Sequence, residues 1–178
     1  MRVEKTELYQ KLLESIIDTI QIARSKAYKT LNRHHLLSNF NIGKLIVESQ
    51  QINGWGKSVV DNLSIDITKL VKGKKGYSSA NLWHMRQFYL TYHEDQSLLE
   101  LALKIPWGHN LLVLYKLQDK LEREYYLKST AQLGWSRAVL LHQIKGNAYD
   151  NHVLDDKQNN FKKVLPEFFA EQVKKKIK

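Results

Sequence analysis

Apolar residues recur at steps of three and four along nearly the whole chain, and no stretch alternates convincingly with a period of two, so the pattern predicts helices. A first helix is expected from about Lys5 to Asn32, with Leu8, Leu12, Ile16, Ile20 and Ala23 as its inward stripe. A second runs from His34 to about Gln51 and turns Leu37, Ile42, Leu45 and Ile46 inward. It stops at Ile52-Asn53-Gly54-Trp55-Gly56, where two glycines can take positive φ and Trp55 reads as a core plug. Ser58 to Val71 forms a third helix that buries Val59, Leu63, Ile67 and Leu70. After the break Lys72-Gly73-Lys74-Lys75-Gly76, Ser78 or Ser79 caps a fourth helix that reaches about Tyr92.

The second half repeats one device. Pro106-Trp107-Gly108-His109-Asn110 opens an apolar run from Leu111 to Leu117, and Gly134-Trp135-Ser136-Arg137 opens another from Ala138 to Ile144. Between them Asp119 to Leu133 is a charged amphipathic helix. Beyond Tyr149 the segment 150–160 is polar and reads as a linker, and a lysine-rich helix is expected after Pro166. The expected organisation is a helical domain over 1–149, then a linker and basic helix over 150–178. Trp55, Trp83, Trp107 and Trp135 are assigned to core packing.

Composition narrows the partners. Lys and Arg number 28 against 18 acids, a net charge of +10, which favours polyanions and makes nucleic acid the first candidate partner. No run approaches the length of a membrane span and the N-terminus lacks a signal-peptide core, so a cytoplasmic protein is expected. The absence of cysteine removes disulfides, thiolate catalysis and every Cys-containing zinc site. No His-x-x-x-His, P-loop, Gly-x-Gly-x-x-Gly or Gly-x-Ser-x-Gly occurs, so no metal, no cofactor and no catalytic residue is expected. His109 beside Trp107 reads as a capping or packing histidine.

The positive charge is segregated. Residues 57–93 hold six Lys and Arg against two Asp, while 94–133 hold five against six acids. On a helical wheel Leu82, Trp83, Met85, Phe88, Tyr89, Leu90 and Tyr92 fill a broad arc, leaving Ala80, His84, Gln87 and Thr91 on a narrow edge. A recognition helix of helix-turn-helix type is built this way, with or without a wing. Lys57, Lys69, Lys72, Lys74 and Lys75 would then meet phosphates, and Asn81, His84 and Gln87 would touch bases, since amides pair bidentately with adenine. Arg86 falls inside the apolar arc and is expected to pair with a buried acid. The plainer alternative stays open: an aromatic-rich helix can be core, the lysines can be a solvated turn, and a five-residue break exceeds the usual three or four.

Ile42-Gly43-Lys44-Leu45-Ile46, Gly54-Trp55-Gly56-Lys57-Ser58-Val59-Val60, Asn81 through Tyr89, Pro106 through Asn110 and Gly134 through Arg137 together resemble the N-terminal domain of the bacterial YhcG-type family, domain of unknown function 1016. The likeness covers about residues 8–150 and keeps five motifs in order. It implies a DNA-associated module that precedes a nuclease-like domain of the PD-(D/E)XK type, with the chain ending where that domain would begin. On this reading the chain itself is not an enzyme. Relatives often carry a basic residue where this chain has Ala80 or His84, which implies weaker contact through that edge. The reading is therefore a mainly α multi-helix bundle with a helix-turn-helix-like unit at 57–93 that binds duplex DNA. A protein-interaction or homo-oligomerising module is the alternative.

Overall fold

The computed structural model describes residues 7–154 apart from 55 and 72–74, and no strand occurs among them. Seven helices follow in order: α1 (Glu7–Asn53), α2 (Lys57–Leu70), α3 (Ser79–Tyr92), α4 (Gln96–Ala102), α5 (Trp107–Lys116), α6 (Lys120–Leu133) and α7 (Arg137–Lys145). The backbone is helical again over 148–154, so part of the expected linker is ordered, and Asp155 to Lys178, with the expected basic helix, lies outside the described residues. The chain divides into two compact units, one reaching to Trp107 and one starting at Gly108.

The two helices expected before Asn53 are one helix of 47 residues. The polar run Asn32-Arg33-His34-His35 contains neither Gly nor Pro, so nothing in it breaks the backbone ladder. Its side chains are used for docking instead. Asn32 Nδ2 donates to the carbonyls of Leu103 at 3.4 Å and Ile105 at 3.2 Å. Arg33 grips Glu100 with two bonds of 2.7 and 2.8 Å, and these bonds hold the Glu100 carboxyl below the ordinary carboxylate range. Both partners are about two-fifths exposed, so the pair contributes at most ~1 kcal/mol.

The expected inward stripe of the first helix is a second difference. Leu8, Leu12, Ile16 and Ile20 are 79%, 58%, 47% and 45% exposed, and every residue from 7 to 31 is exposed. Burial begins at Leu36 and continues through Asn39, Gly43, Ile46 and Val47. There α1 lies against α3, which also meets α2 and α4. Gly43 makes the approach close: a Cβ on it would stand 2.1 Å from the Met85 carbonyl oxygen.

Core formation follows from that contact. Ile46, Val60, Leu82 and Met85 are buried together, with Ile42, Ile67, Tyr77, Trp83 and Trp107 packed on them. Phe88 is fully buried and meets Phe40, Tyr92 and Trp107 edge to face. Of the expected buried face of the third helix, Ile67 packs on the core and Val59 is half-buried, but Val60 takes the buried place while Leu63 and Leu70 are 38% and 83% exposed. Leu45, expected inward, is 62% exposed. Leu45 and Leu63 line a cavity of about 390 Å³ with Ile42, Ile46, Val59 and Ile67.

In the second unit Asp119 caps α6 by accepting from the Leu121 and Glu122 amides at 2.8 and 3.0 Å. Gly134 ends α6 at φ 64°, and Ser136 caps α7. These local signals set two helices three residues apart. Tyr126, 1% exposed, donates its hydroxyl proton to the Gln143 carbonyl at 3.2 Å and accepts from the Tyr149 amide at 3.3 Å. His109 stands 3.0 Å from the Trp135 carbonyl, which can only accept, so its Nε2 carries the hydrogen.

Burial of His109 disfavours its charged form and lowers its pKa, an effect larger than the opposing bond to Trp135; Arg137 lowers it further. A histidine whose pKa is lower folded than unfolded takes up a proton on unfolding, so stability declines as pH falls below the ordinary imidazole value of ~6.5 and the loss is complete below the folded pKa. Thermal melts between about pH 7 and pH 5 are expected to show this decline, and His109→Gln, which keeps a donor for Trp135, is expected to flatten it. Equal slopes in the two proteins would show that His109 does not titrate this way.

Candidate nucleic-acid interface

The connection between α2 and α3 is anchored at both ends. The Val71 amide closes α2 on the Ile67 carbonyl at 2.8 Å, and the Ser78 hydroxyl opens α3 by accepting from the Asn81 amide at 3.3 Å. The Ser79 hydroxyl donates to Asp61 on α2, joining the first turn of α3 to its predecessor. Gly76 sits at φ 111°, in territory that favours glycine, and its carbonyl accepts from Asn81 Nδ2. Asn81 Oδ1 in turn accepts from Trp107 Nε1 at 2.9 Å. Both ends of the Asn81 amide are thus engaged inside the fold, where they fix the loop that carries Lys75.

The candidate contacts are placed as follows. Lys75 is exposed on the loop and Lys69 is exposed at the end of α2. Lys69 stands 3.5 Å from Asp66, one turn earlier, an exposed pairing weak enough for a phosphate to displace. Lys57 opens α2, and its side chain lies outside the described residues, as do Lys72 and Lys74 and the expected core plug Trp55. On α3, His84 is half-buried and Gln87 is exposed; Gln87 Nε2 approaches Thr91 Oγ1 only at 3.5 Å. Lys69 and Lys75 thus flank the break between α2 and α3, and Asn81, His84 and Gln87 follow along α3, with Asn81 turned to internal work.

Two features of the junction differ from the expectation. The connection over 71–78 is eight residues long, against the three or four of a helix-turn-helix, and α3 buries Leu82, Met85, Phe88 and Tyr92. Arg86 has no acid as the hydrogen-bond partner of its Nε; that nitrogen donates to Gln50 Oε1 at 2.7 Å, and its guanidinium lies 5.4 Å from the Trp83 ring. α1 presents Gln50 at that level, so an amide oxygen and an aromatic face replace the expected carboxylate. The Asn81–Trp107 bond was invisible in the sequence because 26 residues separate the partners. Its only local trace is an Asn three residues past a Ser cap and five past a glycine.

Among the described residues no three His, Asp or Glu side chains gather to hold a metal ion, and no helix is long and apolar enough to cross a membrane. Residues 15–151 match the family model of the DUF1016 N-terminal domain. The chain belongs to this family. The DUF1016 N-terminal domain thus extends across the division at Trp107 and takes in most of α1. The chain is also similar to the Escherichia coli (strain K12) protein named "Putative nuclease YhcG", at 26% identity over 82% of this chain and 47% of that protein. It spans about half the length of that relative. No solved structure matches the chain.

Proposed function

We propose that this DUF1016 N-terminal domain is the DNA-binding module of a nuclease-type protein of the PD-(D/E)XK class, holding duplex DNA mainly through phosphates at the α2–α3 junction. The carrying observation is the gathering of six Lys and Arg against two Asp in residues 57–93, with both acids already engaged, Asp61 by Ser79 and Asp66 by Lys69. Lys57, Lys69, Lys72, Lys74 and Lys75 supply the cations, His84 and Gln87 face the bases, and Asn81 positions the loop. Similarity to the protein named "Putative nuclease YhcG" supports nucleic acid as the polyanion. Bond cleavage, on this reading, belongs to the part of the full protein beyond this family's domain.

Phosphate contacts release counterions, so affinity for a labelled duplex of about 20 base pairs is expected to fall by orders of magnitude between 50 and 200 mM salt. Reversing Lys72, Lys74 and Lys75 to Glu is expected to weaken binding on all sequences by about 100-fold or more and to reduce the salt slope by roughly 3. Fluorescence anisotropy measures both quantities. Unchanged binding by the triple variant would place the contact elsewhere, and no binding by the parent at 50 mM salt would remove the proposal.

A further inference from the structure

The uncovered half of α1 has a pattern of its own. Tyr9, Leu13, Ile16, Ile20, Ala23 and Ala27 follow one another at alternating steps of four and three, the spacing of a coiled-coil seam. All six are exposed, with Ile16 at 47% and Ile20 at 45%. The stretch 7–31 is about 37 Å long, and in proteins a helix gains most of its stability by packing an amphipathic face. Its seam is large at one end and small at the other.

That asymmetry selects the partner. If a second copy runs in the opposite direction, with the two-fold axis at the level of residue 18, Tyr9 meets Ala27, Leu13 meets Ala23 and Ile16 meets Ile20. Every large side chain then faces a small or matched one, as close packing requires. A parallel pair would set Tyr9 on Tyr9 and Ala27 on Ala27, crowding one end and leaving the other hollow. Charge points the same way. Residues 7–18 carry Glu7, Glu14 and Asp18 against Lys11, whereas 19–31 carry Arg24, Lys26 and Lys29 with no acid. The antiparallel arrangement lays acidic half on basic half, and the parallel one lays like on like.

We infer that this chain self-associates as an antiparallel pair through residues 9–27 of α1. Residues 9–27 span about 28 Å, so a face about 10 Å wide on each copy gives a contact of roughly 600 Å² in total, less than the ~1,000 Å² that a stable specific interface needs. The pair is accordingly weak and reversible. This inference stands apart from DNA binding and survives if that reading fails.

Light scattering on the eluting 178-residue chain, between about 1 and 100 µM, is expected to show the mass rise from one chain to two. Ile16→Glu combined with Ile20→Glu is expected to hold the mass at one chain throughout while leaving the melting temperature at low concentration unchanged. The chain has no cysteine, so orientation can be read directly. Leu13→Cys mixed with Ala23→Cys is expected to give the mixed disulfide under oxidation, and neither variant alone should cross-link. A one-chain mass at every concentration, a two-chain mass that persists in the glutamate variant, or cross-linking of Leu13→Cys with itself would each overturn the proposal.

Discussion

Phe88→Ala is expected to lower folding stability by about 4 kcal/mol. The ring is fully buried and meets Tyr92 at 5.0 Å, Trp107 at 5.2 Å and Phe40 at 6.2 Å between centroids. It therefore joins α1, α3 and the residue that closes the first unit. Truncation removes its transfer energy, leaves a cavity that helices on several sides cannot collapse into, and deletes edge-to-face contacts worth roughly 0.5–1.5 kcal/mol each. Domains of this size have only about 5–15 kcal/mol in total, so the variant is expected to be half-unfolded at much lower urea. Unfolding followed by tryptophan fluorescence reads this directly. A loss below about 1 kcal/mol would mean that the ring is not packed as described.

Gly43→Ala is expected to destabilise by about 2–3 kcal/mol although propensity alone predicts the opposite. In a helix interior, alanine gains about 1 kcal/mol over glycine. Here the added Cβ would lie 2.1 Å from the Met85 carbonyl oxygen, 2.7 Å from its carbon and 3.0 Å from Tyr89 Cβ. The first two are backbone atoms of α3 and cannot turn aside as a side-chain tip would. α1 and α3 must separate, loosening Ile46, Leu82 and Met85 together. Denaturant melts of the two proteins decide the sign: a gain in stability for the alanine variant would show that the helices have room between them.

What the sequence told of this fold depended on whether the signal was local. Asp119, Gly134 and Ser136 announce the ends of α6 and α7, and each does what its residue type suggests. Ser78 likewise caps α3, and the apolar arc of that helix is the buried one. Failures came where the deciding partner lay far along the chain. Periodicity showed that residues 8–23 are amphipathic, which says nothing of whether another element covers them. Asn32 and Arg33 looked like a polar break because their partners, Leu103, Ile105 and Glu100, lie about seventy positions away. α4, seven residues long, is too short to display a period. The α2 face is legible in part: Ile67 packs on the core as its spacing suggests, but Val59 and Val60 are adjacent and Val60 takes the place beside Leu82. At the candidate interface the lysines were legible as charge, but the engagement of Asn81 with Gly76 and Trp107 was not.

The single helix that begins at Glu7 changes character near Leu36. From there to Val47 its amides are shielded by packed side chains, while residues 7–31 are exposed throughout. Deuterium uptake should therefore divide one continuous helix into a fast half and a slow half, since opening free energy follows local burial. The fast half acts as a built-in gauge, its exchange slowing in proportion to whatever comes to occupy it.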